Sequence, residues 1–388
     1  MSSRPIVARL WGRTALPARA LEPQERLDWL RLCRTDTIGP VSFYALLRRF
    51  GSAGEALAQL PQLGRRGLSA FPRADAEREL KALDRVGASL ICWGEPEYPS
   101  NLAAVEDAPP VLTVLGDPEL LRRPMVAIVG ARNASANGRR LAHDIAAGLG
   151  EAGIVVISGM ARGIDAAGHA GALETGTVAV VAGGADVVYP EENRGLYRAL
   201  AERGAVVAEL PVGTEPQARH FPRRNRIISG MALGVVVVEA AARSGSLITA
   251  RFALEQGREV FAVPGSPLDP RCRGTNDLLR SGATLTENAG DITSQLGPLL
   301  WGAAPLPPTA RRTLRLPFAA PAIPPPAAPV AGDGDLDLLV ERLGPTPVAV
   351  DELVRQCQLS PAAIATLLLE LELAGRIERH PGNLVSLR

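Results

Sequence analysis

Seven short runs of β-branched and other apolar residues recur through the middle of the chain and restrict its fold more than any other feature. They lie at residues 111–115, 125–129, 154–157, 177–182, 205–209, 235–238 and 260–263. Continuous apolar runs of this length are typical of strands buried on both faces of a sheet. Helical segments such as 138–150 and 246–256 separate them, and strands that alternate with helices form parallel sheets. The sequence therefore predicts an α/β domain over residues 101–300, with a doubly wound, mostly parallel sheet.

Residues 22–100 precede this sheet and have a helical pattern. Apolar residues three and four apart, among them Leu27, Leu30, Phe43 and Leu46, predict a small helical domain of the SAM or helix-hairpin-helix kind. The turn at residues 38–40 allows two interpretations. It is either the turn of a helix-hairpin-helix, whose amides hold a phosphate, or part of an ordinary helix-turn-helix packing unit. The second glycine of such a hairpin is absent, which favours the packing unit.

The two ends of the chain differ from its centre. Residues 1–21 contain arginines, no acid and no continuous apolar core of a secretory signal, and they predict a disordered leader. Residues 301–334 are rich in proline and alanine and predict a semi-rigid linker. In residues 335–388 we expect a helix over 348–356, a second helix capped by Ser360 and running to 373, and a hairpin over 376–387. That order is the order of a winged helix.

Composition limits the classes of partner. The 388 residues carry a formal net charge of +1, so a site for a polyanion must be a local arrangement on a neutral body. No run approaches the ~20 apolar residues that span a bilayer. The four cysteines are far apart and include no CxxC pair, which predicts neither a zinc site nor a disulfide framework. We expect a cytoplasmic protein without membrane contact.

Small residues and arginines follow several of the predicted strands, where ligands bind in doubly wound sheets. They form the segments 130–135, 158–165, 183–184 and 241–246. Glycine lets a backbone approach a phosphate closely, and the N-terminus of the following helix presents free amides. The sequence predicts a shallow floor of amides, to which Arg132, Arg162 and Arg243 add positive charge.

A lone aromatic residue, Phe221, lies among four arginines at positions 219, 223, 224 and 226, with no acid between them. A ring that stacks on a base beside guanidinium groups that hold phosphates suits a single-stranded nucleic acid. Alternatively, Phe221 fills a hydrophobic gap and the arginines form a solvated helix face. The strand-end segments favour the first interpretation, because this stretch follows the strand at 205–209 and borders the same edge of the sheet.

The sequence indicates a binding site more strongly than a catalytic one. It contains neither GxGxxG nor GxxxxGK[ST], and no metal-ligand spacing. Asp165 and His169 lie four apart, but no nucleophile is spaced to join them, so a capping aspartate and a structural histidine are the better interpretation. Glu239 is a single acid without a partner. We predict no cofactor, no metal and no catalytic residue.

Five segments together carry a resemblance to a known family. They read VAIVGARNAS (126–135), VVISGMARGIDAAGH (155–169), HFPRRNRIISGM (220–231), ARSGSLITA (242–250) and VFAVPGSP (260–267). Over residues 111–295 the chain closely resembles the DprA family, also called Smf, which are bacterial DNA-processing proteins of natural transformation. The segment 95–116 continues the resemblance upstream, and the helical N-terminal region and the winged helix fit the architecture of the family.

The resemblance implies an extended Rossmann-like fold and a function in competence and DNA recombination that is not enzymatic. Such a protein binds incoming single-stranded DNA independently of sequence, protects it, and loads the RecA recombinase onto it. It forms a homodimer through the Rossmann-like domain.

The resemblance also assigns the residues that bind DNA. Arg132 would contact a phosphate, and Phe221 would stack on a base. The amides of residues 158–163 and 244–246 would hold the backbone. The predicted DNA-binding residues are Arg132, Asn133, Ser158, Gly159, Ala161, Arg162, Gly163, His220, Phe221, Arg223, Arg224, Asn225, Arg226, Arg243, Ser244, Gly245 and Ser246.

Two alternatives remain. One is a nucleotide-processing enzyme of the lysine-decarboxylase-like Rossmann group, whose Pro-Gly-Gly-x-Gly-Thr motif the sequence lacks. The other is a regulator that reads duplex DNA through its C-terminal module. Residues 335–388 contain eight acids against five arginines, and the recognition helix expected at 360–373 has no basic residue. Such a helix is poorly suited to a phosphate-lined groove, so we predict that the winged helix mediates protein contacts or self-association.

Overall fold

A computed structural model of the protein describes residues 19–63, 68–301, 333–343, 347–357 and 359–388. This part of the chain forms two compact units. The first joins the residues up to Cys33 with Pro72–Leu300, and the second joins Arg34–Phe71 with Trp301–Arg388. No helix among the described residues is long and apolar enough to cross a membrane. The leader expected at 1–21 and the linker expected at 301–334 lie almost entirely outside the described residues.

A nine-stranded sheet forms the centre of the first unit. Its strands are β1 (Ala88–Cys92), β2 (Val111–Gly116), β3 (Met125–Val129), β4 (Val155–Ser158), β5 (Thr177–Val180), β6 (Ala205–Ala208), β7 (Gly234–Val237), β8 (Glu259–Ala262) and β9 (Thr284–Leu285). They lie in the order β1-β2-β6-β5-β4-β3-β7-β8-β9. The strands β6, β5, β4, β3, β7, β8 and β9 are parallel to one another, whereas β2 pairs antiparallel with both β1 and β6.

Helices of the first unit cover both faces of the sheet. The helices up to residue 301 are, in chain order, α1 (Pro23–Arg34), α2 (Pro40–Phe50), α3 (Ala53–Gln59), α4 (Arg73–Val86), α5 (Ser100–Ala103), α6 (Ala136–Glu151), α7 (Ile164–Gly171), α8 (Arg194–Arg203), α9 (His220–Met231), α10 (Ser246–Glu255), α11 (Arg273–Arg280) and α12 (Ala289–Trp301), of which α2 and α3 belong to the second unit. Buried residues of α9 and α10 belong to the apolar cluster on one face, and those of α6 and α12 belong to the cluster on the other.

The central strand β3 shows why the apolar runs are continuous. Its residues Met125, Ala127 and Val129 belong to one buried cluster, whereas Val126 and Ile128 belong to the cluster on the opposite face. Complete burial of a large apolar side chain contributes about 1.5–3 kcal/mol. Both faces of the strand therefore need apolar residues, and the usual alternation with polar residues is lost.

Each of the seven predicted runs forms a strand, so the doubly wound, mostly parallel α/β fold is confirmed. The prediction that residues up to 100 are helical is wrong at β1, which pairs with β2 at the edge of the sheet. The two-residue strand β9 was not predicted, because it is too short to show a period.

The direction in which the sheet grows reverses between β3 and β7. From β3 the chain adds β4, β5 and β6 on one side, then returns to place β7 against the other side of β3. In such sheets, ligands bind beyond the carboxyl ends of the strands near the reversal. The turns after β3, β4 and β5 lie at this edge.

The second unit contains α2, α3 and a C-terminal module. The module comprises α13 (Asp333–Arg342), β10 (Val348–Ala349), α14 (Val350–Cys357), α15 (Pro361–Leu373), β11 (Ile377–His380) and β12 (Leu384–Leu387). Its sheet has the order β10-β12-β11, and the sequence of elements is that of a winged helix. The expected cap is present, since Ser360 Oγ accepts a hydrogen bond from the Ala363 amide at 3.1 Å. The helix expected from residue 348 begins at 350, because residues 348–349 pair with β12.

Candidate nucleic-acid interface

A pocket of about 250 Å³ opens at the carboxyl edge of the sheet. The turns after β3, β4 and β5 and the first turns of α9 supply its walls. It is lined by Arg132, Gly159, Ala161, Arg162, Val181, Ala182, Gly183, Val187, Tyr189, Pro190, Glu192, Phe221 and Arg224. The structure thus brings together six of the predicted site residues, namely Arg132, Gly159, Ala161, Arg162, Phe221 and Arg224.

Phe221 belongs to the pocket wall and is half-buried. The guanidinium carbon of Arg132 lies 5.5 Å from the centre of its ring, and that of Arg224 lies 5.9 Å away. The ring of Tyr189 meets it edge to face, with 5.7 Å between the ring centres. Guanidinium groups at these distances are attracted to the aromatic ring. Phe221 therefore joins the basic and the aromatic parts of the pocket.

Arg224 is buried, with 7% of its surface exposed. Its Nη1 donates to the carbonyl oxygens of Gly159 and Val180, both at 2.6 Å. A Cβ at Gly159 would lie only 2.0 Å from Arg224 Nη1, so glycine leaves room here for the guanidinium group. Burial lowers the pKa of Arg224 to about 10, and the nearby Arg132 adds to this, so the group is still charged at neutral pH. Arg224 joins the ends of β4 and β5 and places a positive charge at the wall of the pocket.

The other polar residues of α9 face in different directions. Arg226 is buried, and its Nη2 donates to Glu209 Oε1 at 2.6 Å, while its Nη1 donates to the Asp107 carbonyl oxygen. Burial opposes the charge of Arg226, but Glu209 and Asp107 outweigh it and raise the pKa. Arg223 is exposed, and Asn225 Nδ2 donates to the Gly245 carbonyl oxygen at 3.4 Å. The arginines are therefore not one solvated face.

The turn after β4 does not present the row of free amides that its glycines predict. Asp165 Oδ2 accepts hydrogen bonds from the amides of Gly159 at 3.2 Å and Ala161 at 3.3 Å. The Ser158 hydroxyl donates to the Ile128 carbonyl oxygen. Burial raises the pKa of Asp165, and the positive charge of Arg224 opposes this. The predicted amide floor is wrong at Gly159 and Ala161, because a carboxylate of the protein already occupies it.

A second carboxylate of the protein lies against the start of α6. Glu239, which follows β7, accepts hydrogen bonds from the Ser135 amide at 2.9 Å and from Ser135 Oγ at 2.5 Å. A Cβ at Gly138 would lie 2.5 Å from this carboxylate, so glycine makes room for it. Dinucleotide-binding proteins hold their pyrophosphate at the equivalent turn. Here Glu239 takes that place and has a structural role.

His169 has the structural role that the sequence favoured. It is buried on α7, and its Nδ1 lies 2.7 Å from Thr177 Oγ1. Because the Thr177 hydroxyl donates to the Val156 carbonyl oxygen, it accepts the proton of Nδ1, which leaves Nε2 as the bare nitrogen. Burial, with a contribution from Arg224, lowers the pKa of His169 to about 3. The neutral ring joins α7 to β5.

The remaining predicted residues do not line the pocket. Asn133 and Arg243 are exposed, and the hydroxyls of Ser244 and Ser246 lie 2.7 Å apart. His220 is buried, and its Nδ1 accepts a hydrogen bond from the Gln217 amide at 3.2 Å. Burial, together with the charges of Arg219 and Arg223, lowers the pKa of His220. The lining residues do not include Asn133, Ser158, Gly163, His220, Arg223, Asn225, Arg226, Arg243, Ser244, Gly245 or Ser246.

Of the segment between β5 and α8, sequence reasoning identified only the glycines at 183–184, and it missed Tyr189, Pro190 and Glu192, which line the pocket. Glu192 Oε1 lies 3.5 Å from Arg162 Nη1, so an acid is present within the basic wall. The one clue in the sequence is an aromatic residue shortly after the strand-end glycines at 183–184. Nothing in the sequence shows that this segment lies against α9.

The described residues contain no group of three or more histidines, cysteines and acids that could hold a metal ion.

Comparison with known proteins relates this geometry to a family. The family model described as DNA recombination-mediator protein A matches residues 89–297, which is more than half of the chain. The chain belongs to the DprA family. Further models of the family match on either side, a DprA-like N-terminal HHH domain at residues 23–82 and a DprA winged helix domain at residues 323–383.

Relatives from several bacteria support this assignment. Protein Smf of Escherichia coli is 39% identical over 326 residues, which cover 82% of this chain and 82% of that protein. DNA processing protein DprA of Bacillus subtilis is 42% identical over 222 residues, 56% of this chain and 75% of that protein.

Two solved structures share the fold. DprA of Streptococcus pneumoniae is 30% identical with a TM-score of 0.58, covering 71% of this chain and 99% of that one. DprA of Helicobacter pylori, described for its single-stranded DNA binding mode, is 27% identical with a TM-score of 0.50, covering 54% of this chain and 95% of that one.

These matches confirm the resemblance drawn from the five sequence segments, and they confirm the winged helix. They also revise one expectation. The family model that matches residues 23–82 describes an HHH domain. The sequence had favoured an ordinary packing unit over a helix-hairpin-helix, because the second glycine of the turn is absent.

Proposed function

We propose that this protein binds single-stranded DNA in its pocket, without catalysis, and acts in DNA processing during natural transformation and recombination. One observation carries the proposal, namely that the Arg132 guanidinium lies over Phe221 at the mouth of a strand-end pocket also lined by Arg162 and Arg224. Charged groups beside aromatic rings suit a flexible chain with exposed bases. The DNA-binding mode described for the Helicobacter pylori relative supports the same class of ligand.

The predicted site residues divide into two groups in this proposal. The exposed and half-exposed ones contact the strand, and they are Arg132, Asn133, Arg162, Phe221, Arg223, Arg243, Ser244, Gly245 and Ser246. The buried or internally bonded ones hold the pocket in shape, and they are Ser158, Gly159, Ala161, Gly163, His220, Arg224, Asn225 and Arg226. The division follows the burial of these side chains and their bonds to groups of the protein itself.

Binding of this kind is independent of sequence, because phosphate contacts and stacking do not read the edges of bases. We propose that the protein is a cytoplasmic homodimer joined through the Rossmann-like domain, and that it protects incoming strands and loads RecA onto them. Strand exchange by RecA, with and without the protein, tests the loading, and a measurement of mass in solution tests the dimer.

The alternative is a nucleotide-processing enzyme. The carboxylates of Glu239 and Asp165 argue against it. Glu239 occupies the helix start at which a nucleotide phosphate binds in related folds, and Asp165 takes two amides of the next turn. Release of free base from a nucleoside monophosphate would support the enzyme instead.

The test is a titration of labelled oligo-dT and of a duplex of equal length over a salt series. We expect tight binding of the single strand, weak binding of the duplex, and an affinity that falls steeply with salt. In a plot of the logarithm of the binding constant against the logarithm of the salt concentration, Arg132→Ala should make the slope shallower by about 0.7, the value for one phosphate contact on a single strand.

Arg122→Ala is the matched control, because Arg122 is also exposed but precedes β3, at the opposite end of the strand from Arg132. The two variants change net charge equally. Equal loss of affinity in both, or an affinity for oligo-dT that does not respond to salt, would refute the proposed site.

A further inference from the structure

Tyr189 has an aromatic surface that is open to solvent inside the pocket. It lies between β5 and α8, lines the pocket and is 48% exposed. Among the large apolar side chains that are exposed in the described part of the chain, it is the one aromatic. Burial in the core therefore does not account for its position.

Phe221, to which the sequence assigned the stacking, is more enclosed than Tyr189. It is half-buried, and the guanidinium groups of Arg132 and Arg224 both lie over its ring. A base that stacked on Phe221 would have to compete with these cations. The open aromatic surface of the pocket belongs to Tyr189.

The two rings form a corner. Their centres are 5.7 Å apart and their planes are inclined by 61°, so they touch and leave no gap for a base between them. A base can lie on Tyr189 with its edge toward Phe221. The volume of about 250 Å³ is below the roughly 300–1,000 Å³ of pockets for drug-sized ligands, which suits one base.

We propose that Tyr189 is a DNA-contacting residue that stacks on one unstacked base of the strand, while Phe221 supports it from the side and positions Arg132. This inference rests on the proposed function and extends it, since it assigns base contact to a residue outside the predicted site. The arginines hold phosphates, and the aromatic corner holds one base.

Two single-stranded DNAs of equal length separate the base contact from the phosphate contacts. One is a labelled oligo-dT, and the other is an abasic strand with the same number of phosphates. Wild-type protein should bind oligo-dT about tenfold more tightly than the abasic strand. Tyr189→Ala should reduce this preference to about twofold or less while its affinity for the abasic strand stays that of the wild type. Tyr189→Phe should keep the preference, because the ring stacks and the hydroxyl does not.

Leu254→Ala is the matched control, since Leu254 is also an exposed large apolar residue, 61% exposed on α10, and does not line the pocket. We expect it to bind both strands as the wild type does. Phe221→Ala should lose the base preference and also weaken binding of the abasic strand, because Arg132 loses the ring that positions it.

Tyr189→Ala protein that keeps the full preference for oligo-dT would refute the role of Tyr189. So would an equal loss of affinity for both strands, which would indicate damage to the phosphate contacts. Neither result touches the proposed function, because wild-type binding of oligo-dT is measured in the same titration. Wild-type protein that fails to bind oligo-dT would refute the proposed function and the inference together.

Discussion

Side-chain direction separates residues that the sequence presents as equivalent. Arg223, Arg224 and Arg226 lie within four positions, yet the first is exposed, the second bonds carbonyl groups at the ends of two strands, and the third pairs with Glu209. Successive residues of a helix point about 100° apart, so a cluster in sequence is spread around the axis. A count of basic residues therefore overestimates the charge that a ligand meets.

His169 allows a prediction about pH at the same scale. Its pKa falls from 6.5 to about 3 on folding, so the unfolded chain binds a proton that the folded protein excludes. The contribution of His169 to stability is complete above pH 6.5 and is lost as pH falls toward 3. Between pH 7 and pH 5 the loss should be about 2 kcal/mol.

Urea unfolding of the wild type and of His169→Gln at several pH values measures this effect. The wild type should lose more stability on acidification than the variant, by about 2 kcal/mol at pH 5. His143→Gln is the control for loss of a histidine at an exposed position, because the His143 side chain is 51% exposed. Identical pH dependence in wild type and His169→Gln would contradict the assignment of a buried neutral ring.

Helices and turns of this sheet approach one another closely at glycines. The end of α7 is an example, because a Cβ at Gly171 would lie 2.3 Å from the His143 carbonyl oxygen of α6. Gly195 on α8 differs, since a Cβ there would meet no atom within 4 Å. Two helical glycines thus have opposite roles, one required by packing and the other placed at an open surface.

Alanine at these two glycines should change stability in opposite directions. Gly171→Ala forces α6 and α7 apart and should cost about 1–3 kcal/mol in the free energy of unfolding. Gly195→Ala removes backbone entropy from the unfolded chain and should add roughly 0.5–1 kcal/mol. Chemical denaturation measures both. Unchanged or increased stability of Gly171→Ala would show that the close approach of α6 and α7 is not rigid, and a loss of stability in Gly195→Ala would contradict the open position of Gly195.

Over the whole molecule, charge is organised locally. The protein is nearly neutral, with a net charge of +1, yet three arginines meet at one pocket. In the winged helix, the exposed positions of α15 include Ala362, Ala365, Thr366 and Glu370, none of which is basic. A recognition helix without donors does not read a groove or hold phosphates. The prediction of protein contacts for this module follows from that surface.

Acidic substitutions on the exposed face of α15 test this prediction. Ala365→Glu together with Thr366→Glu should leave the affinity for both duplex and single-stranded DNA within about twofold of the wild type. Arg132→Ala is the positive control for loss of single-strand binding. Fluorescence anisotropy with both ligands measures the effect. A marked loss of duplex binding in the α15 variant would show that the module docks on DNA.

The sequence by itself determined the sheet. A run of apolar residues is a local property of the sequence. Because β3 is buried on both faces, its consecutive residues are all apolar, and this can be read without knowing the rest of the chain. It also determined which turns border the site, because parallel strands end at a common edge. Two of the five segments that carry the resemblance, 126–135 and 155–169, contain such turns.

Only the tertiary structure decided what the turns present to a ligand. Asp165 accepts a hydrogen bond from the Gly159 amide and Glu239 accepts one from the Ser135 amide, although the glycines of these turns predicted free amides. Tyr189 reaches the pocket from a segment that showed no pattern. The contacts of Glu239 and Tyr189 join separate segments of the chain and depend on the packing of whole elements, whereas Asp165 bonds amides only four and six positions away. A sequence pattern reports the period of one element at a time, so contacts between elements have no counterpart in it.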